Sequence, residues 1–155
     1  MVRDARSYLW DIQDAANAIV RFTQGLNAET FAESEVVHAA VERKFEIIGE
    51  ALNQLSRFDP ILVQHIPDFR DIVSFRNLLI HGYAIVDLDQ VWHAVVEALP
   101  GLGAVVAACS MNWGRLNSSD RYAPTALTRR ASAAVSDTAT GMPPPRPRCR
   151  AWAVF

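Results

Sequence analysis

Apolar residues recur along most of this chain at spacings of three and four, a period that builds helices and not strands. Val2, Ala5, Leu9, Ile12, Ala16 and Ile19 form one stripe and predict a helix over about 3–22, with Asp4, Asp11 and Asp14 largely off it. Val37, Val41, Ile48, Leu52 and Leu55 form a second over about 34–56, widened by Phe45 and Ala51. Phe69, Ile72, Phe75 and Leu79 form a third, starting near Pro67-Asp68, since proline suits a first turn. Leu88, Val91, Val95, Leu99, Leu102 and Val106 form a fourth, capped by Asp87 with Gln90 in a capping-box spacing. Pro100 interrupts that stripe without ending it, so a kink is expected there. Shorter turns are expected from Asn27 to Phe31, after Gly25, and between Pro60 and Pro67. No segment alternates like a strand. The expected fold is all-α, an antiparallel four-helix bundle.

The pattern stops near Met111, which divides 155 residues into a bundle domain, 1–110, and a tail, 111–155. The tail holds five of the eight prolines with many Ser, Thr and Ala, a composition expected to be disordered. Its arginines suit RNA phosphates or an acidic partner, although a solvated extension explains them as well. The net charge of −2 conceals opposite halves. Residues 1–110 carry 8 Lys and Arg against 15 Asp and Glu, a charge of −7; residues 111–155 carry 7 Arg against 2 Asp, a charge of +5. The bundle is therefore no bulk polyelectrolyte binder of nucleic acid, and any RNA contact must be local. No apolar run reaches the ~18 residues of a membrane span, and no apolar signal core follows the first residues. A cytoplasmic location is expected, with Cys109 and Cys149 as reduced thiols outside any metal or redox spacing.

Usable chemistry is concentrated in Arg76-Asn77-Leu78-Leu79-Ile80-His81-Gly82-Tyr83. Arginine presents a permanently charged fork of donors for phosphate. Histidine exchanges protons near physiological pH. The pair suits phosphodiester cleavage without a metal or other cofactor. On a straight helix Arg76 and His81 lie about 140° apart. A helix ending near Ile80 or His81, before Gly82, would let the imidazole swing towards the arginine. Asn77 and His81, spaced i, i+4, are neighbours in any case. Upstream, Glu46 and Glu50 lie one turn apart among Glu35, Glu42 and Arg43, and read either as an acid/base or metal pair or as a solvated face. Gly49 between them is unfavourable in a helix and suggests close approach by another helix. Arg76 has a bland reading too, an ion pair with Glu46 or Glu50. Likewise His81 serves as a helix C-cap and Tyr83 as a packing residue.

Arg-x4-His with Asn after the arginine and His-x-Tyr closing the run resembles the signature of HEPN ribonucleases. The run Arg76 to Tyr83, followed by Val86-Asp87-Leu88 and Val91-Trp92, and the block Glu46-Ile47-Ile48-Gly49-Glu50-Ala51 are similar to the HepT branch of that superfamily. The resemblance covers about residues 4–108. It implies a HEPN-like helical homodimer with both motifs facing one cleft, and metal-independent RNA cleavage. His81 would shuttle the proton, Arg76 would stabilise the phosphorane, and Asn77 would orient His81 or contact phosphate. Glu46 and Glu50 would support them. It further implies a toxin of a type VII toxin–antitoxin pair, silenced when an MntA-like nucleotidyltransferase antitoxin transfers AMP to Tyr83. A different reading of the same residues is a helical adaptor that binds a nucleotidyltransferase and has no chemistry of its own.

Overall fold

The structure, a computed structural model, describes residues 4–81 and 86–118, with side chains as far as residue 112. The described residues build an all-α antiparallel bundle of four long helices with short helical turns between them. Helix α1 (Ala5–Phe22) starts at Asp4, whose carboxylate accepts from the Ser7 N–H at 2.9 Å. The Ser7 hydroxyl and N–H hold that carboxyl below its usual range. The helix closes at Thr23, and Gly25 takes a left-handed φ of 78° that turns the chain. Asn27 and Thr30 form a capping box on the short helix α2 (Ala28–Glu33).

Helix α3 (Glu35–Phe58) is the spine of the bundle, packed on α1 along one side and on α5 (Phe69–His81) along another. Its stripe Val41, Phe45, Ile48, Leu52 and Leu55 is buried, as are Leu9, Ile12 and Ile19 of α1 and Ile72, Phe75 and Leu79 of α5. Phe45 meets Phe75 edge-on, with ring centroids 5.3 Å apart. Buried Asp59 caps the single turn α4 (Pro60–Val63) by accepting from the Leu62 N–H at 3.1 Å, with Pro60 opening the turn. Asp68 adopts a left-handed φ of 58°, and its carbonyl accepts from Asp71 and Ile72 to start α5. The chain thus turns sharply before the motif-bearing helix. Aspartate is among the few residues that visit this conformation readily.

The fourth long helix departs from expectation where proline enters it. Asp87 caps α6 (Leu88–His93) through the Asp89 N–H at 3.0 Å, and not through a box with Gln90. A π-helical turn, Ala94–Ala98, then joins α6 to α7 (Leu99–Ser118), with the Leu99 N–H donating to the Ala94 carbonyl five residues back. Pro100 lacks an N–H and its ring crowds the carbonyl four residues before it. Widening the turn ahead of it realigns those carbonyls and keeps Val95, Leu99, Leu102 and Val106 buried. The helix also runs on to Ser118, past the boundary expected at 110. The expected disorder of the remaining tail, and Cys149, lie outside the described residues.

Against expectation, Leu88–Asn112 is long and apolar enough by length and composition to cross a membrane. Charged Asp89 and Glu97 interrupt the apolar run in sequence, but a helix gathers its apolar residues on one face. That face packs on α1 as core. Cys109 is a free thiol within it, its pKa pushed up by burial. Helix α2 closes the other side, Phe31 packing on Trp92 at 5.2 Å between centroids.

Because Phe45 is fully buried at the α3–α5 seam, Phe45→Ala is expected to cost about 3–5 kcal/mol. Urea denaturation monitored by helical circular dichroism checks this. A cost below about 1 kcal/mol would mean the seam does not carry the bundle.

Candidate active site

The site is made where α3 and α5 touch most closely. A Cβ on Gly49 would stand 2.3 Å from Arg76 Cβ, 2.8 Å from its Cγ and 3.3 Å from the Ile72 carbonyl. Only glycine therefore lets the arginine stem lie across α3, as the unfavourable glycine suggested. The guanidinium then emerges beside Glu50. Arg76 Nη2 lies 2.7 Å from Glu50 Oε2, and Nη1 donates to Asn77 Oδ1 at 2.8 Å. Gln54 Nε2, one turn further along α3, donates to the other Glu50 oxygen at 2.7 Å. Arg76 Nε is buried without a hydrogen-bond partner. The result is a chain of contacts, Gln54–Glu50–Arg76–Asn77, spanning two helices.

This pair contributes little to stability. Arg76 is 23% exposed and Glu50 41%, and ion pairs that wet contribute only about 0–1 kcal/mol. It opens on a cleft of about 210 Å³ between α1, α3 and α5. Tyr8 and Asp11 of α1 enter from one side, and Ile80 from the other. Glu46 lines the same cleft and pairs with Arg43. The two glutamates thus keep part of the solvated face expected of them, Glu46 in a surface pair with exposed Arg43 and Glu50 41% exposed, while both line the cleft. Among the described residues no group of three or more His, Cys, Asp or Glu is placed to hold a metal ion. Three carboxylates and two guanidiniums line the cleft, which leaves it acidic by one charge.

His81 is elsewhere. Helix α5 ends at His81, as expected, with that residue still in helical geometry. The side chain is exposed, about 140° around the helix from Arg76, and does not line the cleft. Asn77 turns to Arg76, and no hydrogen bond joins it to His81. One chain thus brings together Arg76, Asn77 and Glu50, with Glu46 nearby, and leaves His81 apart. Tyr83 and Gly82 lie outside the described residues. Gln54 was not singled out by motif, although its i, i+4 spacing from Glu50 is the signal that finds it. Tyr8 carries no local signal, since only the packing of α1 on α3 brings it to the cleft.

This arrangement belongs to a known family of helical bundles. The chain is a member of the HepT-like ribonuclease family, whose sequence profile, described as "Ribonuclease HepT-like", matches residues 12–109. Relatives include a candidate RNase of Methanocaldococcus jannaschii, 33% identical over 98 residues that span 63% of this chain and 89% of that protein. A Thermococcus cleftensis protein named "Probable ribonuclease HepT" is 36% identical over 102 residues, 66% of this chain and 92% of its own. A candidate RNase of Caldanaerobacter subterraneus is 28% identical over 101 residues, 65% of this chain and 89% of its own. No solved structure matches significantly.

Alanine for glycine on a helix usually stabilises by roughly 0.5–1 kcal/mol. At position 49 the sign should reverse, because the added methyl meets the arginine stem and the Ile72 carbonyl. Gly49→Ala is expected to cost about 1–3 kcal/mol, read from the shift of the urea midpoint. A stabilised Gly49→Ala protein would contradict the close approach.

Proposed function

We propose that this ribonuclease-family protein is a metal-independent endoribonuclease whose Arg76 and His81 cleave RNA, and that it acts as the toxin of a toxin–antitoxin pair in the cytoplasm. The observation that carries the reading is the presentation of Arg76: its fork is held by Glu50 and Asn77 with further donors left over, on the helix that ends in His81. In the proposed reaction the imidazole of His81 takes the proton of a ribose 2′-OH. The resulting oxygen attacks the adjacent phosphorus. The guanidinium of Arg76 stabilises the phosphorane as charge builds on its oxygens. A proton returned by an imidazole to the leaving 5′ oxygen completes cleavage and leaves a 2′,3′-cyclic phosphate.

The separation of Arg76 and His81 on α5 supports the homodimer we propose. Two copies related by a two-fold axis, with their α5 helices facing one cleft, supply the arginine of one subunit and the histidine of the other to each phosphate. We propose that Tyr83, two residues beyond His81, is the control point, modified with AMP by a nucleotidyltransferase antitoxin. A bulky anion at that place repels an RNA phosphate by charge and by size.

The test is cleavage of varied single-stranded RNAs in EDTA, on protein made without a nucleotidyltransferase and checked by intact mass. Wild type and Tyr83→Phe are expected to cut, and His81→Ala to be slower by about 10²–10⁴-fold, the usual contribution of a general acid or base. If unmodified wild type leaves every RNA intact, the adaptor reading replaces this one. The dimer has its own check. Mixing Arg76→Ala and His81→Ala subunits, each inactive alone, is expected to restore about a quarter of wild-type activity, one rebuilt site in half of the dimers. No recovery on subunit exchange would place both groups of each site in one chain.

A further inference from the structure

The acidity of the cleft is odd for a group that must meet an RNA phosphate. Glu50 is its centre: the carboxylate sits 2.7 Å from the arginine meant to bind the substrate, and is itself fixed by Gln54. A guanidinium has five N–H donors. In this structure Nη2 is engaged by Glu50 and Nη1 by Asn77, the Nε–H is buried, and the outer N–H groups remain for a phosphate. Without Glu50, the guanidinium would keep only a contact to its own neighbour Asn77, and its plane could rotate about the Nε–Cζ bond. With Glu50 the plane is set by a second helix, at the point where Gly49 has already fixed the stem. The same negative charge repels RNA.

We propose that Glu50 is the positioning residue for Arg76, with Gln54 as its brace, and that its charge weakens RNA binding while it holds the arginine in the orientation that stabilises the transition state. This rests on the ribonuclease reading and gives the supporting part expected of Glu50 a specific form, orientation of Arg76 at a cost in RNA binding. An interaction used for orientation lowers kcat when lost. A like charge removed from beside a phosphate site improves binding. Glu50→Gln should therefore move kcat and KM in the same direction, which a merely structural residue would not do.

The experiment uses the full chain as wild type, Glu50→Gln, Glu50→Ala and Glu33→Gln, the last removing one exposed charge from α2. Two quantities are measured: rotation of the Arg76 guanidinium by nitrogen-15 NMR, and steady-state cleavage of a single-stranded RNA oligonucleotide. Rotation is expected to be slow in wild type and fast in Glu50→Ala. Glu50→Gln is expected to lose about tenfold or more in kcat, with a lower KM. Glu33→Gln is expected to match wild type in both. Rotation in Glu50→Ala as slow as in wild type overturns the proposal, and so does an unchanged kcat in both Glu50 variants. If wild type cuts no RNA, the ribonuclease reading fails separately. The positioning role is then decided by rotation, and the charge effect by binding of the same oligonucleotide. Tighter binding to Glu50→Gln supports it and equal binding overturns it.

Discussion

The absence of one side chain sets the geometry of this protein's site. With no Cβ at Gly49, α5 lies against α3 closely enough for the Arg76 stem to cross the helix, a distance at which any other residue would collide. The placing of Arg76 against Glu50 follows from that contact. It brings the guanidinium to Glu50, beside a cleft open towards α1. The aromatic seam of Phe45 and Phe75 holds the two helices at that separation. Packing and chemistry are therefore coupled: a change that spreads the seam also moves the arginine.

Much of the fold was legible because it depends on period. A stripe at three and four spacing predicts a helix and the face it buries, and Leu9, Ile12, Ile48, Leu52, Ile72 and Phe75 are all in the core. Caps at Asp87 and Asn27 were legible for the same local reason, since a short acceptor before an apolar run has few other uses. The π turn before Pro100 was not legible. Proline announces that the helix must adjust, but whether it bends, breaks or widens depends on what the inner face must bury. Here continuity of Val95, Leu99 and Leu102 in the core favoured widening.

The site was legible in its parts and not in its assembly. Residue types marked Arg76, Asn77 and His81, and an unfavourable glycine marked the helix contact beside Glu50. Which of the two glutamates would meet the arginine was open, since both lie on one face; Gly49 puts the stem beside Glu50, and Glu46 goes to Arg43. The orientation of Asn77 was read from spacing towards His81, but a charged donor next door is the stronger attraction, and its amide oxygen turns to Arg76. His81 stays apart because α5 remains helical to that residue. The proposed mechanism therefore draws its two groups from two copies of the chain: the inner face of α5 holds the arginine proposed to meet the phosphate, and its exposed end carries the imidazole proposed to move the proton.

The central claim is that this pair performs transesterification at a ribose 2′-OH. End-group mass spectrometry of RNA digested by the unmodified protein in EDTA tests it most directly. The account predicts fragments ending in 2′,3′-cyclic phosphate and beginning with 5′-hydroxyl, and none of these from His81→Ala. Fragments with 3′-hydroxyl and 5′-phosphate ends would instead show that a water molecule, and not the ribose, attacks the phosphorus, and would contradict it.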